Sequence, residues 1–346
     1  MKSSMILTSP SFLTTTHSPT RCGIVLAGGD GKRLQPFIDR LRGDGLPKQY
    51  MNFIGSRSML EHTFQRAEKL ISANHLFTVV NQDHLRFPDV RRQLTSRPAG
   101  NVVVQPENKE TGPGLLLPLI HLIKRYPDST VVVFPSDHFI EEADLFMVHV
   151  ELAFRAVERD PSGLILLGME PSGTEPEYGY ILPGQRVESL LASGVREVSK
   201  FIEKPKPPSL RALILKGALW NTMVMVFKAE MLLDLVRRTA PTLFGCFDRI
   251  AEAVGTGGET DVVDEAYRQL EPMNFSQGLL VPLSLQLPSP LLVLPVRGVH
   301  WSDWGSERRI LSALEKTGHP GPTELNFKIS PSGAAVSRPD FLSASG

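Results

Sequence analysis

The stretch Leu26-Ala27-Gly28-Gly29-Asp30-Gly31-Lys32-Arg33-Leu34, with Pro47-Lys48-Gln49 soon after it, concentrates residue types suited to holding a polyphosphate such as a nucleoside triphosphate. It continues the apolar run Ile24–Ala27, which reads as a buried strand. Glycines after a strand let backbone N–H groups approach an anion, since no Cβ stands in the way. Arg33 adds a rigid guanidinium fork that matches phosphate oxygens, and Lys48 adds a mobile point charge. Spacing excludes two other glycine loops. A P-loop ending at Gly31-Lys32 needs glycine at position 26 and Ser or Thr at 33, where the chain has Leu26 and Arg33. A dinucleotide fingerprint starting at Gly29 and Gly31 needs a third glycine where Leu34 stands, which argues against a nicotinamide dehydrogenase. Three glycines alone are equally compatible with a simple tight turn; Arg33 and Lys48 are what favour an anion.

Further polar clusters follow other apolar runs. Gln105-Pro106-Glu107-Asn108-Lys109-Glu110-Thr111-Gly112-Pro113-Gly114 carries amides able to read a nucleobase edge, while Thr111 or Gly112 could equally cap the helix that follows. Pro135-Ser136-Asp137-His138 places a carboxylate at a strand end, where it could bind Mg²⁺ or merely cap a turn. His138 reads as a structural neighbour of that site. Tyr178-Gly179-Tyr180-Ile181 offers close backbone approach and an aromatic surface. Phe201-Ile202-Glu203-Lys204-Pro205 sets a carboxylate for sugar hydroxyls beside an ammonium for a phosphate, or forms a solvated ion pair. Trp220-Asn221-Thr222 and His300-Trp301-Ser302-Asp303-Trp304-Gly305 complete the set, with a second acidic residue in Asp303.

Alternating strands and helices position these groups. Strands are expected at Ile24–Ala27, Leu76–Val80, Val102–Gln105, Val131–Phe134 and Leu164–Gly168. Helices are expected at Met59–Leu70, His84–Leu94, Gly114–Tyr126 and Asp144–Arg159, the last with Leu145, Val148, Leu152, Phe154 and Ala156 at roughly helical spacing. This pattern predicts an α/β fold, a mainly parallel sheet covered on both faces, with ligands beyond the strands' C-terminal ends. In the second half, Pro205–Pro208 and Pro282–Pro295 read as loops around a helix near Ala229–Arg238, and one domain with a smaller C-terminal lobe is expected. The segment Ile38–Gly45 reads as a solvated loop.

The 346 residues include 37 basic and 37 acidic side chains, so no global charge favours nucleic acid or an anionic membrane. With 41% hydrophobic residues the chain can bury a sizeable core, and it has no run long enough to span a bilayer. Cys22 and Cys246 make neither a disulfide framework nor a zinc cluster and fit a reducing cytoplasm. Residues 1–20 read as a disordered tail rather than a signal peptide, and 317–346 as a flexible tail.

The order of these motifs resembles the sugar-phosphate nucleotidyltransferases, and within them the mannose-1-phosphate guanylyltransferases, over residues 22–315. The resemblance implies a Rossmann-like domain, 21–316, that joins GTP and mannose 1-phosphate into GDP-mannose and pyrophosphate with Mg²⁺. By that resemblance Leu26, Ala27, Gly28, Gly29, Gly31, Arg33 and Lys48 hold the nucleotide phosphates, and Gln105, Asn108 and Thr111 lie by the base. Asp137 and Asp303 hold the metal, and Gly179, Glu203, Lys204 and Asn221 meet the sugar phosphate. Arg33, Lys48, Asp137 and Lys204 are the expected catalytic residues. The nucleophile is a phosphate oxygen, mostly ionised at neutral pH, so no side-chain nucleophile is needed. Where such enzymes often carry Ser-Gly-Met after Trp-Asn, this chain has Thr222-Met223-Val224, which bears on the sugar. Too few residues remain for an isomerase or acyltransferase domain. UTP or dTTP with glucose 1-phosphate, or a non-catalytic nucleotide-sugar sensor, are the competing readings, and a homo-oligomer is left open.

Overall fold

The computed structural model describes residues 20–319, so most of the two expected tails lies outside the described residues. The first strand, β1 (Arg21–Ala27), alternates its side chains between two cores: Val25 and Ala27 face one, Cys22 and Ile24 the other. This two-sided burial explains why the strand reads as continuously apolar. Parallel to it lie β2 (Leu76–Asn81), β3 (Val102–Gln105) and β4 (Thr130–Pro135), in the order β3-β2-β1-β4. A short β5 (Phe139–Ile140) pairs outside this sheet. The second half of the chain adds β6 (Leu164–Met169), β7 (Gly179–Arg186), β8 (Arg196–Glu203), β9 (Leu219–Lys228) and β10 (Leu291–Val296) to the same nine-stranded sheet. β9 runs antiparallel between β4 and β6, and its first residues also pair with β7. That last pairing closes β9, β6, β10, β8 and β7 into a ring.

The helices α1 (Gln35–Arg42), α2 (Met59–Ala67), α3 (Pro88–Leu94) and α5 (Ala143–Arg159) cover one face of the sheet. The opposite face is covered by α4 (Thr111–Arg125), α7 (Ala229–Thr239), α8 (Pro241–Ala253) and α9 (Glu259–Gln269). Three shorter or peripheral helices are α6 (Pro207–Leu215), α10 (Val281–Leu283) and α11 (Glu307–Thr317), and β11 (Trp301–Ser302) pairs with β5. Among the described residues no helix is long and apolar enough to cross a membrane.

Several local expectations change. Ile38–Gly45 is mostly helix, not loop: Phe37 and Ile38 of α1 are buried, and Gly43 ends the helix at φ 78°. Pro88 breaks the expected His84–Leu94 helix, so a 3₁₀ turn over Gln82–Arg86 precedes α3. The core face of α5 is Phe146, Met147, Val150, Ala153, Phe154 and Val157, while Leu145 and Val148 are exposed. Pro282–Pro295 holds α10 and β10 rather than one loop; Pro295 stands within β10.

Candidate active site

The glycine loop leaves β1 over the C-terminal ends of the parallel strands. Gly31 takes φ 63°, a left-handed conformation that favours glycine. Gly28 is needed for another reason: a Cβ there would lie 2.6 Å from Gln105 Nε2. Around Gly29 the space is open. The side chain of Gln49 donates to the carbonyls of Ala27 and Gly29, each at 2.8 Å, and Tyr50 Oη reaches Ala27 O at 3.1 Å. Those buried polar contacts fix the loop from below.

Between this loop and the start of α4 lies a cavity of about 110 Å³, lined by Leu26, Gly28, Gly29, Gln105, Asn108, Glu110 and Thr111 with Val79 and Gly114. Six of the residues expected at the nucleotide therefore share one cavity. Gln105 is 1% exposed, and its Oε1 has no hydrogen-bond partner. An unpaired buried acceptor is costly unless a ligand donor reaches it. Asn108 Nδ2 donates to Asp30 Oδ2 at 3.1 Å, linking the two loops. Thr111, which lines the cavity, is the first residue of α4, and its hydroxyl accepts the Phe275 N–H at 2.8 Å. Glu110 is the cap position, without a side-chain capping bond.

The charged centre adjoins the loop. Lys48 is buried, with Nζ 3.1 Å from Asp137 Oδ2, 2.5 Å from Asp303 O and 3.2 Å from Trp304 O. Burial raises the Asp137 carboxyl, but the Lys48 ammonium outweighs it and holds it below the usual range. His138 itself is pushed down to about 4, by burial above all, and so is neutral; its Nδ1 accepts the Trp301 indole N–H at 3.2 Å. Asp303 Oδ1 accepts from Tyr178 Oη at 3.0 Å and Gly305 N at 2.9 Å, and stands 3.2 Å from Arg309 Nε. Arg33 is more exposed than a buried phosphate clamp, its guanidinium 2.8 Å from Glu177 Oε2. Among the described residues no cluster of three or more His, Cys, Asp or Glu could hold a metal. The hard oxygens of Asp137 and Asp303 suit an ion ligated chiefly by phosphate and water, as Mg²⁺ commonly is.

Tyr178 bridges to the third cluster. Its ring packs at 5.0 Å from Trp220 and 5.1 Å from Trp301, and its carbonyl accepts the Lys204 N–H at 3.2 Å. Gly179 pairs across the sheet with Glu203, and Gly168 with Asn221. A Cβ on Gly179 would lie 2.9 Å from Glu203 Oε2 and 3.3 Å from Asn221 Cβ, so the expected sugar residues do converge. Burial raises the Glu203 carboxyl, and Lys204 partly offsets that. Lys204 is exposed at φ 46°, with no carboxylate within 4 Å among the described residues.

Sequence reasoning assigned no role to Gln49, although Pro-Lys-Gln was noted, and it missed Arg309. Arg309 is 9% exposed in its side chain and ties Asp303 to Glu175 and Glu177, at 3.1 and 2.7 Å for the two glutamates. No local pattern on α11 singles it out.

The chain is similar to known proteins in sequence and in fold. The chain is 27% identical over 301 residues to the xanthan biosynthesis protein XanB of Xanthomonas campestris, covering 85% of this chain and 60% of that protein. It is 25% identical over 306 residues to mannose-1-phosphate guanylyltransferase 2 of Escherichia coli O157:H7, with the same coverages. The chain thus spans about 60% of the length of these curated relatives. A solved structure titled mannose-1-phosphate geranyltransferase, from Thermus thermophilus, superposes with TM-score 0.71 at 23% identity, covering 85% of this chain and 79% of that one. With the model for Nucleotidyl transferase matching residues 22–319, nearly all that is described, the chain belongs to the nucleotidyl transferase family.

Proposed function

We propose that this chain is a sugar-1-phosphate nucleotidyltransferase that joins GTP and mannose 1-phosphate into GDP-mannose and pyrophosphate. The observation that carries the reading is the continuity of three subsites. The glycine loop that lines the cavity also meets Lys48, whose backbone N would lie 3.5 Å from a Cβ on Gly31. Lys48 pairs with Asp137 and bonds to the Asp303 carbonyl, and Tyr178, bonded to Asp303, precedes Gly179, which packs against Glu203 and Asn221. The names of the relatives, mannose-1-phosphate guanylyltransferase among them, support the choice of substrates.

A phosphate oxygen of the sugar phosphate attacks the α-phosphorus; the P–O bond to the β-phosphate breaks, and pyrophosphate leaves with that electron pair. The chain must bring two anions together and stabilise charge as it develops. Lys48 presents a fixed cation at the reacting centre. Arg33 exchanges Glu177 for the departing pyrophosphate, and Lys204 meets the sugar phosphate. Glu203 and Asn221 orient the sugar hydroxyls. Mg²⁺, entering with the triphosphate against Asp137 and Asp303, would supply Lewis-acid neutralisation of the phosphates.

The test is pyrophosphate release with Mg²⁺ across GTP, UTP, dTTP, ATP and CTP, each against mannose 1-phosphate and glucose 1-phosphate. Release confined to GTP with mannose 1-phosphate is expected. Another active pair would change the substrates and keep the chemistry; silence from folded protein would overturn the reading. Omitting Mg²⁺ should abolish the signal, and activity surviving in chelator would remove the metal.

A further inference from the structure

The segment Met273–Ser276 touches both ends of the site. At the nucleobase end, Gly112 N donates to Met273 O at 2.8 Å and Met273 N donates to Lys109 O at 3.1 Å. The Phe275 N–H donates to Thr111 Oγ1 at 2.8 Å. Gly112 permits this approach, since a Cβ there would fall 2.8 Å from Met273 O. At the sugar end, Ser276 Oγ lies 3.5 Å from Asn221 Nδ2 and 3.2 Å from Met223 Sδ. Phe275 and Ser276 are buried, at 1% and 4% exposure, so their polar groups have these partners in place of water. Met223 is held at φ 57°, with its N–H on Asn221 Oδ1 at 3.1 Å. A non-glycine residue keeps such a backbone only where its surroundings enforce it.

We infer that Thr111 and Ser276 are positioning residues that tie the nucleobase cavity to the sugar-phosphate subsite through Met273–Ser276. This rests on the nucleotidyltransferase reading above. Thr111 lines the cavity, but its hydroxyl oxygen holds the Phe275 amide, and Phe275 seats Ser276 beneath the amide of Asn221. A base that orders the Asn108–Thr111 loop therefore also orders the group facing the sugar. Loss of the Thr111 oxygen releases the strap and is felt at the far subsite.

The experiment is steady-state synthesis of nucleotide sugar by the full chain and by Thr111→Val, Thr111→Ser, Ser276→Ala and Thr111→Val/Ser276→Ala. Thr111→Val removes one hydrogen bond to a buried amide, so the KM for the sugar 1-phosphate should rise roughly three- to ten-fold, in addition to any change in the nucleotide KM from the altered cavity wall. Thr111→Ser keeps the oxygen and should restore the sugar 1-phosphate KM. The double variant should be no worse than Thr111→Val alone, the non-additivity expected of one connected unit. A change confined to the nucleotide KM, or single effects that multiply, would overturn the inference. If the wild-type chain makes no nucleotide sugar, the functional reading fails separately. The strap is then judged by amide exchange of the free protein: faster exchange over Phe275–Leu280 in Thr111→Val supports it, and unchanged exchange refutes it.

Discussion

Lys48→Met separates what Lys48 does for the fold from what it does for turnover. Methionine nearly matches the lysine stem in volume and removes only the charge and its donors. Three acceptors then lose a partner: Asp137 Oδ2 at 3.1 Å, Asp303 O at 2.5 Å and Trp304 O at 3.2 Å. Breaking a fully buried ion pair from one side costs about 3–5 kcal/mol. The Asp137 side chain is 35% exposed, so water recovers part of that, and about 2–3 kcal/mol is the expected loss. For a domain of this size the melting temperature should fall by roughly 3–5 °C. Removing a preorganised cation from the reacting centre should cut kcat about 10²–10³-fold. The pH dependence should move as well. With Lys48 present, the Asp137 carboxyl is held low, so its stabilisation is present above its unfolded value and is lost as pH falls through the folded one. Without Lys48, burial dominates, the folded value rises, and acid unfolding begins at higher pH. Asp137→Asn added to Lys48→Met should recover most of the stability but none of the turnover. The assays are urea denaturation followed by tryptophan fluorescence and pyrophosphate release at a temperature where each variant is folded. A destabilised Lys48→Met with turnover within threefold of wild type would refute the catalytic role and leave Lys48 a structural clamp.

Gly28→Ala places a methyl 2.6 Å from Gln105 Nε2, so the nucleotide KM should rise about tenfold or more while the sugar-phosphate KM changes little; equal affinity measured by titration calorimetry would remove the cavity from nucleotide binding. Burial raises Glu203, so sugar-phosphate affinity should be full above its folded pKa and weaken as pH falls through it, and Glu203→Gln should abolish that limb; a limb persisting in the variant assigns it elsewhere. His138 is held neutral with its value near 4, against 6.5 when unfolded, so the chain should lose on the order of 3 kcal/mol between about pH 6.5 and pH 4. In His138→Asn, whose side-chain oxygen can still accept from Trp301, the pH-melt curve should be flatter by that amount, and an unchanged curve would count against it.

Legibility in the sequence follows the range of the interaction that carries the information. β1 through β4 were readable because strands buried on both faces leave continuous apolar runs, and Val131–Phe134 followed by Asp137 shows both strand and site. α1 was missed because the polar residues in Gln35–Arg42 mask the burial of Phe37 and Ile38. On α5 the helical spacing holds and Phe154 and Ala156 are buried, but Leu145 and Val148 lie outside, and only the packing of Phe146 and Val150 against the sheet shows which side is in. Pro295 discouraged a strand assignment although its neighbours Leu291–Leu294 pair in register with β6.

For the proposed site, residue type and position in short motifs singled out Lys48, Asp137, Glu203 and Asn221, since each chemistry uses few residue types. The residues that hold them were hidden because their partners are remote in sequence. Arg309 reaches Asp303 and, more than a hundred positions away, two glutamates, and Thr111 spends its hydroxyl on Phe275. A local reading takes Thr111 for a base ligand or a cap; it can see the hydroxyl but not the amide that fills it. Met223 shows the same limit from the other direction. Thr222-Met223-Val224 was visible as a departure from the Ser-Gly-Met that the resemblance leads one to expect, yet its consequence was not. A side chain at φ 57°, with its sulfur beside Ser276, turns a position that glycine could occupy freely into a contact between the sheet and the strap. Met223→Gly should therefore relieve backbone strain while removing that contact. If the contact orders Ser276, the sugar-phosphate KM should rise even though the backbone is better accommodated, and a Met223→Gly variant with unchanged KM would show that Ser276 holds its place without the sulfur.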